Sequence, residues 1–202
     1  MSRDRFIAAG IFALGLAALG GFALSQSATA QDVTDGPGPN LVIEVAGGTT
    51  GTVVIDMAQD LAPNHVAQIT ALARDGAYDG VVFHRVIAGF MAQTGDVEFG
   101  KTGGDLSMAG MGGSALPDLA AEFSDAKFER GVVGMARSMD PNSANSQFFI
   151  MFDRAEHLDG QYTVVGRVIS GMEVVDAIRK GDENAGGAVD VPDVMAKVTV
   201  QE

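Results

Sequence analysis

The sequence predicts an all-β (mainly β) fold: eight antiparallel strands closed into a barrel, with two α-helices over its ends. Three observations carry this. Eight short segments are rich in β-branched and aromatic residues or alternate apolar with polar, and turn residues punctuate them. Only two segments bear apolar residues at helical spacing, and they lie far apart in the chain, which argues against a doubly wound sheet. Closing so many strands into a barrel removes the unpaired edges that an open sheet must protect.

Residues 1–30 are expected to stand outside the fold as a signal peptide. Arg3 and Arg5 precede an apolar run over residues 6–24. Ser27-Ala28-Thr29-Ala30 then supplies the A-x-A pattern of a signal peptidase site, so cleavage is expected between Ala30 and Gln31. The apolar run also approaches the length of a bilayer span, so an uncleaved membrane anchor is the alternative. Both readings put the domain outside the cytoplasm. Residues 31–39 are polar and rich in Gly and Pro and read as a flexible linker. Residues 40–202 form the single folded domain.

Residues 41–46 and 52–57 flank Gly47-Gly48 and read as a hairpin. Residues 62–74 read as the first helix: Pro63 suits its first turn, Val66, Ile69, Leu72 and Ala73 recur at helical spacing, and Gly76 ends it. His65, near its start, reads as a partly exposed surface histidine. Residues 81–87 and 90–94 read as strand, turn, strand about Ala88-Gly89. Pleating sends His84 and Arg85 to opposite faces and puts Met91 and Gln93 on one. Arg85, Phe90, Met91 and Gln93 line a common concave surface if Gly89 bends the chain far enough.

Residues 100–116 are glycine-rich but hold neither G-x-x-x-x-G-K-[ST] nor G-x-G-x-x-G, so they read as an irregular loop with close backbone approaches. Three further strands are expected at residues 131–136, 146–152 and 162–168, with Gln147 and Phe149 on one face and Phe148 and Ile150 on the other. Residues 171–180 carry Met172, Val175 and Ile178 at helical spacing and form the second helix. An acidic loop over residues 182–192 leads to the final strand, 194–200, whose Val194, Ala196, Val198 and Val200 alternate with polar residues.

Composition excludes several classes of function. A net charge of −13 repels nucleic-acid phosphates and anionic lipids, so neither is an expected partner. Removing Arg3, Asp4 and Arg5 with the leader takes the charge to −14. The absence of cysteine excludes disulfides and thiol chemistry. His65, His84 and His157 show no metal-ligand spacing, and no G-x-S-x-G is present. No metal and no other cofactor is implied.

What remains is Phe83-His84-Arg85, then the run from Gly89 through Phe90, Met91, Ala92, Gln93, Thr94 and Gly95 to Asp96. Gly131-Val132-Val133-Gly134-Met135-Ala136-Arg137, Asn145-Ser146-Gln147-Phe148-Phe149-Ile150 and Leu158-Asp159-Gly160 follow, with Val164-Val165-Gly166-Arg167-Val168 after them. These segments, in this order, resemble the cyclophilins, which are peptidyl-prolyl cis-trans isomerases. The resemblance covers residues 40–202 and implies an eight-stranded barrel capped by two helices. It implies that Arg85 is the catalytic arginine. Phe90, Met91, Phe149 and Leu158 are implied to line a pocket for the substrate proline ring, with Gln93 and Gln147 as the polar groups beside it. Ala136 and Arg137 lie along the implied peptide groove, and Tyr162 stands near the pocket, where many members carry a histidine. His84 is implied to be structural.

Three departures stand out. His157 occupies the position of a tryptophan that packs against cyclosporin, so cyclosporin binding is expected to be weak. Arg137 replaces a frequent asparagine, as in a bacterial subtype. Ala88 replaces a common proline. The expected function is therefore X-Pro isomerisation in folding exported polypeptides, in the periplasm or cell envelope, by a monomer. An anchor in the inner membrane is the alternative placement. A peptide-binding scaffold without turnover is the rival from another class, and the retained Arg85, Gln93 and Phe149 weigh against it. A small-molecule carrier fits poorly, because bulky inward residues fill a barrel of this size.

Overall fold

The computed structural model describes residues 35–202. The expected signal peptide and the first residues of the expected linker lie outside the described residues. Residues 35–39 run into the first strand; Gly36 N–H donates to Asp56 Oδ2 at 2.9 Å and Pro39 O accepts from Met57 N at 3.1 Å.

The strands are β1 (Asn40–Ala46), β2 (Gly51–Met57), β3 (Val81–Val82), β4 (Arg85–Ile87), β5 (Met91–Thr94), β6 (Val132–Met135), β7 (Phe148–Met151), β8 (Val164–Ser170) and β9 (Val194–Gln201). The helices are α1 (Pro63–Arg74) and α2 (Met172–Ala177). All the strand pairs are antiparallel, in the order β3-β9-β1-β2-β8-β6-β7-β5-β4.

Two expectations are corrected here: the sheet has nine strands rather than eight, and it is an open half-barrel rather than a closed barrel. Both have one cause. The expected strand over residues 81–87 breaks at Phe83-His84. There Phe83 N–H donates to Asp193 O at 2.9 Å and His84 O accepts from Val189 N at 3.1 Å, so the 181–193 loop takes the groups a continuous strand would use. β3 therefore pairs with β9 at one end of the sheet, and β4 pairs with β5 at the other.

Pleat alternation divides the apolar residues into two cores. Leu41, Ile43 and Val45 of β1, Val53, Ile55 and Met57 of β2, and Phe148 and Ile150 of β7 belong to the main core. Helix α1 lies against β9, and Val66, Ile69, Leu72 and Ala73 join that core. Met91, Val132, Phe149 and Met151 face the other way and build a smaller core with Phe128, Leu158 and Val164. Strands β6 and β7 are thus buried on both faces, and the smaller core underlies the site.

His65 is the third correction. It is fully buried, and its Nδ1 lies 2.6 Å from Glu122 Oε2. The same carboxylate accepts from the backbone N–H of Asn64 (3.2 Å) and His65 (3.1 Å). Ala62 offers no side-chain cap, so a distant glutamate supplies the acceptors that the start of α1 lacks. Burial by itself would raise the Glu122 pKa, but the His65 ring and the two N–H donors together hold it below the usual glutamate range.

Candidate active site

The site grows from a row of residues across four strands. Strand register sets Arg85 opposite Gln93, Gln93 opposite Phe149, and Phe149 opposite Gly134. Gly134 in this row is required. A Cβ there would sit 2.6 Å from both Phe128 Cε1 and Phe149 Cζ. Its absence lets Phe128 stack on Phe149, with centroids 5.8 Å apart and planes 26° apart. Tyr162 meets the Phe149 ring edge-on, at 5.8 Å and 82°. Gly89, at φ +68°, turns the chain between β4 and β5. Phe90, just beyond it, then comes round to the pocket rim.

The result is a pocket of about 460 Å³ lined by Arg85, Phe90, Met91, Gln93, Ala136, Arg137, Phe149, Leu158 and Tyr162, together with His157 and Gln161. Met91, Phe149 and Leu158 form a buried apolar floor. His157 and Phe90 pair at one rim, 5.8 Å apart and tilted by 31°. Of the residues expected at the site, only Gln147 lies outside this pocket. It lines an adjoining hollow of about 310 Å³ that shares Gln93, Ala136 and Arg137 with the first. Gln161 was not foreseen; its carbonyl accepts from Arg137 Nη2 at 2.9 Å. The Arg137 guanidinium also donates to Ser138 O and lies 4.3 Å over the Tyr162 ring.

Arg85 is held from two sides. Its Nε donates to Gly186 O at 3.0 Å, and its Nη1 donates to Gln93 Oε1 at 3.2 Å and lies 3.9 Å from Met91 Sδ. Gln93 Nε2 donates to Gln147 Oε1 at 3.0 Å, and Gln147 Nε2 donates to Gly110 O (3.0 Å) and Gly112 O (2.8 Å). This chain has only one consistent polarity. Guanidinium can only donate and a peptide carbonyl can only accept, so both glutamine amides are fixed between them. Among the described residues no carboxylate forms an ion pair with Arg85, and none lines the pocket. The guanidinium thus brings an unneutralised charge to the edge of an apolar hollow.

His84 points away from the pocket. It is largely buried, and burial pushes its pKa below the usual value against the opposing pull of the Asp96 charge. Neither ring nitrogen has a hydrogen-bond partner among the described residues. Asp159, next to Leu158, anchors the pocket wall. It accepts from Arg154 (2.6 and 3.0 Å) and from Phe128 N–H (2.9 Å), and these bonds, that of Arg154 foremost, hold its pKa down at about 2.

The family model for cyclophilin type peptidyl-prolyl cis-trans isomerases matches residues 41–200. The chain belongs to the cyclophilin-type peptidyl-prolyl cis-trans isomerases. A probable peptidyl-prolyl cis-trans isomerase of Brucella suis is 52% identical over 201 residues, covering 98% of this chain and 96% of that one. The fold is similar to that of a cyclophilin from Hirschia baltica, with a TM-score of 0.66 at 28% identity over 82% of this chain and 74% of that one. It is also similar to a Cryptosporidium parvum cyclophilin crystallised in the presence of the dipeptide Ala-Pro, with a TM-score of 0.67 at 23% identity over 81% and 99% of the two chains.

Among the described residues no helix is long and apolar enough to cross a membrane, and no group of three or more His, Asp or Glu side chains could hold a metal ion. Besides Gln161, the sequence left two contributors to this cyclophilin site unmarked. Gly186 acts through its carbonyl, which no residue type advertises. The turn at Gly110 and Gly112 was read only as a loop of close approaches.

Proposed function

We propose that this cyclophilin isomerises X-Pro bonds in exported polypeptides, with Arg85 as the catalytic group and the pocket above Met91, Phe149 and Leu158 as the proline site. Planarity of the peptide bond gives a rotation barrier of about 18–20 kcal/mol. No covalent bond breaks, so the reaction needs no nucleophile. Twisting the amide ends its resonance and leaves a lone pair on the proline nitrogen. A fixed cationic donor aimed there binds the twisted state better than either planar isomer, which is the condition for catalysis. Arginine suits the task because its charge is permanent and its donors are rigid.

One well-placed donor in a water-poor site is worth about 2.7–4 kcal/mol. Four decades of rate need about 5.5 kcal/mol. The apolar floor supplies the remainder by gripping the ring and keeping out water, which favours the planar, more polar amide. Ala136, Arg137, Gln147 and Tyr162 bind the peptide on either side.

The observation that carries this reading is the Arg85 guanidinium, oriented by Gly186 and Gln93 and unpaired with any described carboxylate, at the edge of that pocket. The test is an isomerisation assay on a proline peptide, comparing wild type with Arg85→Ala. A loss of at least about a hundredfold in kcat/KM is expected. Peptide binding with no rate above background in either protein would instead make the molecule a scaffold.

The same proposal places residues 1–30 as a cleaved signal and residues 40–202 as a monomeric enzyme in the periplasm or cell envelope. Mass spectrometry of the mature N-terminus tests this; a chain beginning at Met1 overturns it in favour of an anchor. Cyclosporin binds weakly in this reading, because His157 offers less apolar surface than the tryptophan it replaces.

A further inference from the structure

Asp96 ends the sequence motif that carries Gln93, yet it does not reach the pocket. It is fully buried, and no cation pairs with it among the described residues. A buried carboxylate without a cation is costly unless hydrogen bonds satisfy it. Four backbone N–H groups do so here. Oδ1 accepts from Glu98 N (3.1 Å) and Phe99 N (2.9 Å), closing the turn after β5. Oδ2 accepts from Gly110 N (2.7 Å) and Gly112 N (3.0 Å), fourteen and sixteen residues away.

Those two glycines are the residues whose carbonyls hold Gln147. One carboxylate oxygen therefore fixes the turn that fixes Gln147, which fixes Gln93, which fixes Arg85. Both positions favour glycine. A Cβ on Gly112 would lie 2.5 Å from Asp96 Oδ1, and Gly110 stands at φ +97° with His84 Cδ2 3.0 Å from where its Cβ would be. A carboxylate here does more than close its own turn, which a single oxygen would accomplish.

We propose that Asp96 is a positioning residue for Arg85, acting at a distance through the Gly110–Gly112 turn and the two glutamine amides. This rests on the reading of Arg85 as the catalytic group. The informative variant is Asp96→Asn. With its oxygen toward Glu98 and Phe99 it keeps the local turn. Its NH2 then faces the N–H groups of Gly110 and Gly112, donor against donor, and the distant turn is released.

The test is a double-mutant cycle with Gln147→Ala, read as kcat and KM on a proline peptide, with thermal melts to establish folding. Asp96→Asn is expected to lower kcat about tenfold with KM within about twofold, and to cost less than about twofold more once Gln147 is already alanine. The same factor in both backgrounds, or full activity of Asp96→Asn, overturns the proposal. If Asp96→Asn does not fold, Gly112→Ala forces the turn off the carboxylate and enters the same cycle with the same criteria. Arg85→Ala, assayed alongside, separates the two readings. Undiminished activity there sinks the catalytic assignment itself, whereas an inactive Arg85→Ala with independent Asp96 and Gln147 losses sinks only this inference.

Discussion

Gln93→Glu tests whether catalysis depends on the unneutralised charge of Arg85. The side chain keeps its length: one carboxylate oxygen lies where the amide oxygen was, 3.2 Å from Arg85 Nη1, and the other replaces the Nε2 that donated to Gln147 Oε1, a loss that the alanine control shares. At an effective dielectric of about 20, opposite charges at that distance attract by about 5 kcal/mol. Both side chains are partly exposed, so solvation and salt cancel much of this. The portion withdrawn from the transition state is about 2 kcal/mol, in the range of one hydrogen bond to a charged group. That corresponds to about a thirtyfold loss in kcat/KM at pH 7.

The loss has a pH signature with a definite sign. Only the ionised carboxylate neutralises Arg85, and the guanidinium holds the introduced group below the ordinary glutamate value of about 4.3. As pH falls through that value the group protonates, Arg85 regains its free charge, and kcat/KM climbs back toward wild type. The assay is a pH series between about 2 and 8 on a proline peptide, reaching below the lowered value, with circular dichroism at each point to exclude unfolding. Gln93→Ala is the control, since it removes the orienting contact without adding charge. It is expected to lose less than Gln93→Glu at pH 7 and to show no recovery in acid. Wild-type activity in Gln93→Glu at neutral pH, or equal losses in the two variants with no acid recovery, refutes the reasoning.

Gly134→Ala drives a methyl group into the Phe128–Phe149 stack, where contacts of 2.6 Å leave no room. It is expected to cost about 1–3 kcal/mol in urea unfolding and to raise KM as Phe149 shifts into the pocket. Glu122→Gln weakens the anchor at the start of α1 and leaves buried His65 opposite a neutral amide, for an expected loss of about 1–2 kcal/mol by the same measurement. Burial depresses the His84 pKa, so the unfolded chain takes up this proton more readily than the folded one. Stability from this group is fully present above its unfolded value near 6.5 and is lost as pH falls through the lower folded value. His84→Leu is expected to flatten the melting temperature across that window; an unchanged slope counts against the assignment.

Strand alternation made part of the site legible in the sequence, whereas Ala136, Arg137, Leu158 and Tyr162 were legible only through the family resemblance. Alternation alone puts Met91 and Gln93 on one face, and Phe149 opposite in sense to Phe148 and Ile150. Met91, Gln93 and Phe149 meet at the pocket, and Phe148 and Ile150 go to the main core, as that rule requires. It could not show that β3 and β4 are separate strands. Every residue from Val81 to Ile87 tolerates an extended backbone, and the break is decided by hydrogen bonds from a loop about a hundred positions later. His65 was misread for a related reason. A histidine in the first turn of an amphipathic helix reads as solvent-facing until Glu122, 57 residues on, is folded over it.

Asp96 shows where such reading stops. It is one of 26 acidic residues in a strongly acidic chain, and although it ends the run from Gly89 that carries the family resemblance, no side chain beside it tells what it holds. Its partners are backbone N–H groups, which every residue except proline possesses. A sequence can mark such an acceptor only indirectly, through the glycines that must stand where the backbone approaches too closely for a Cβ. Gly110 and Gly112 are that mark, but they sit in a run so rich in glycine that the two constrained positions are indistinguishable from their neighbours. Arg85 is visible because the proposed chemistry demands its side chain. The scaffold that aims it is built largely from peptide groups and becomes visible only once the chain has folded.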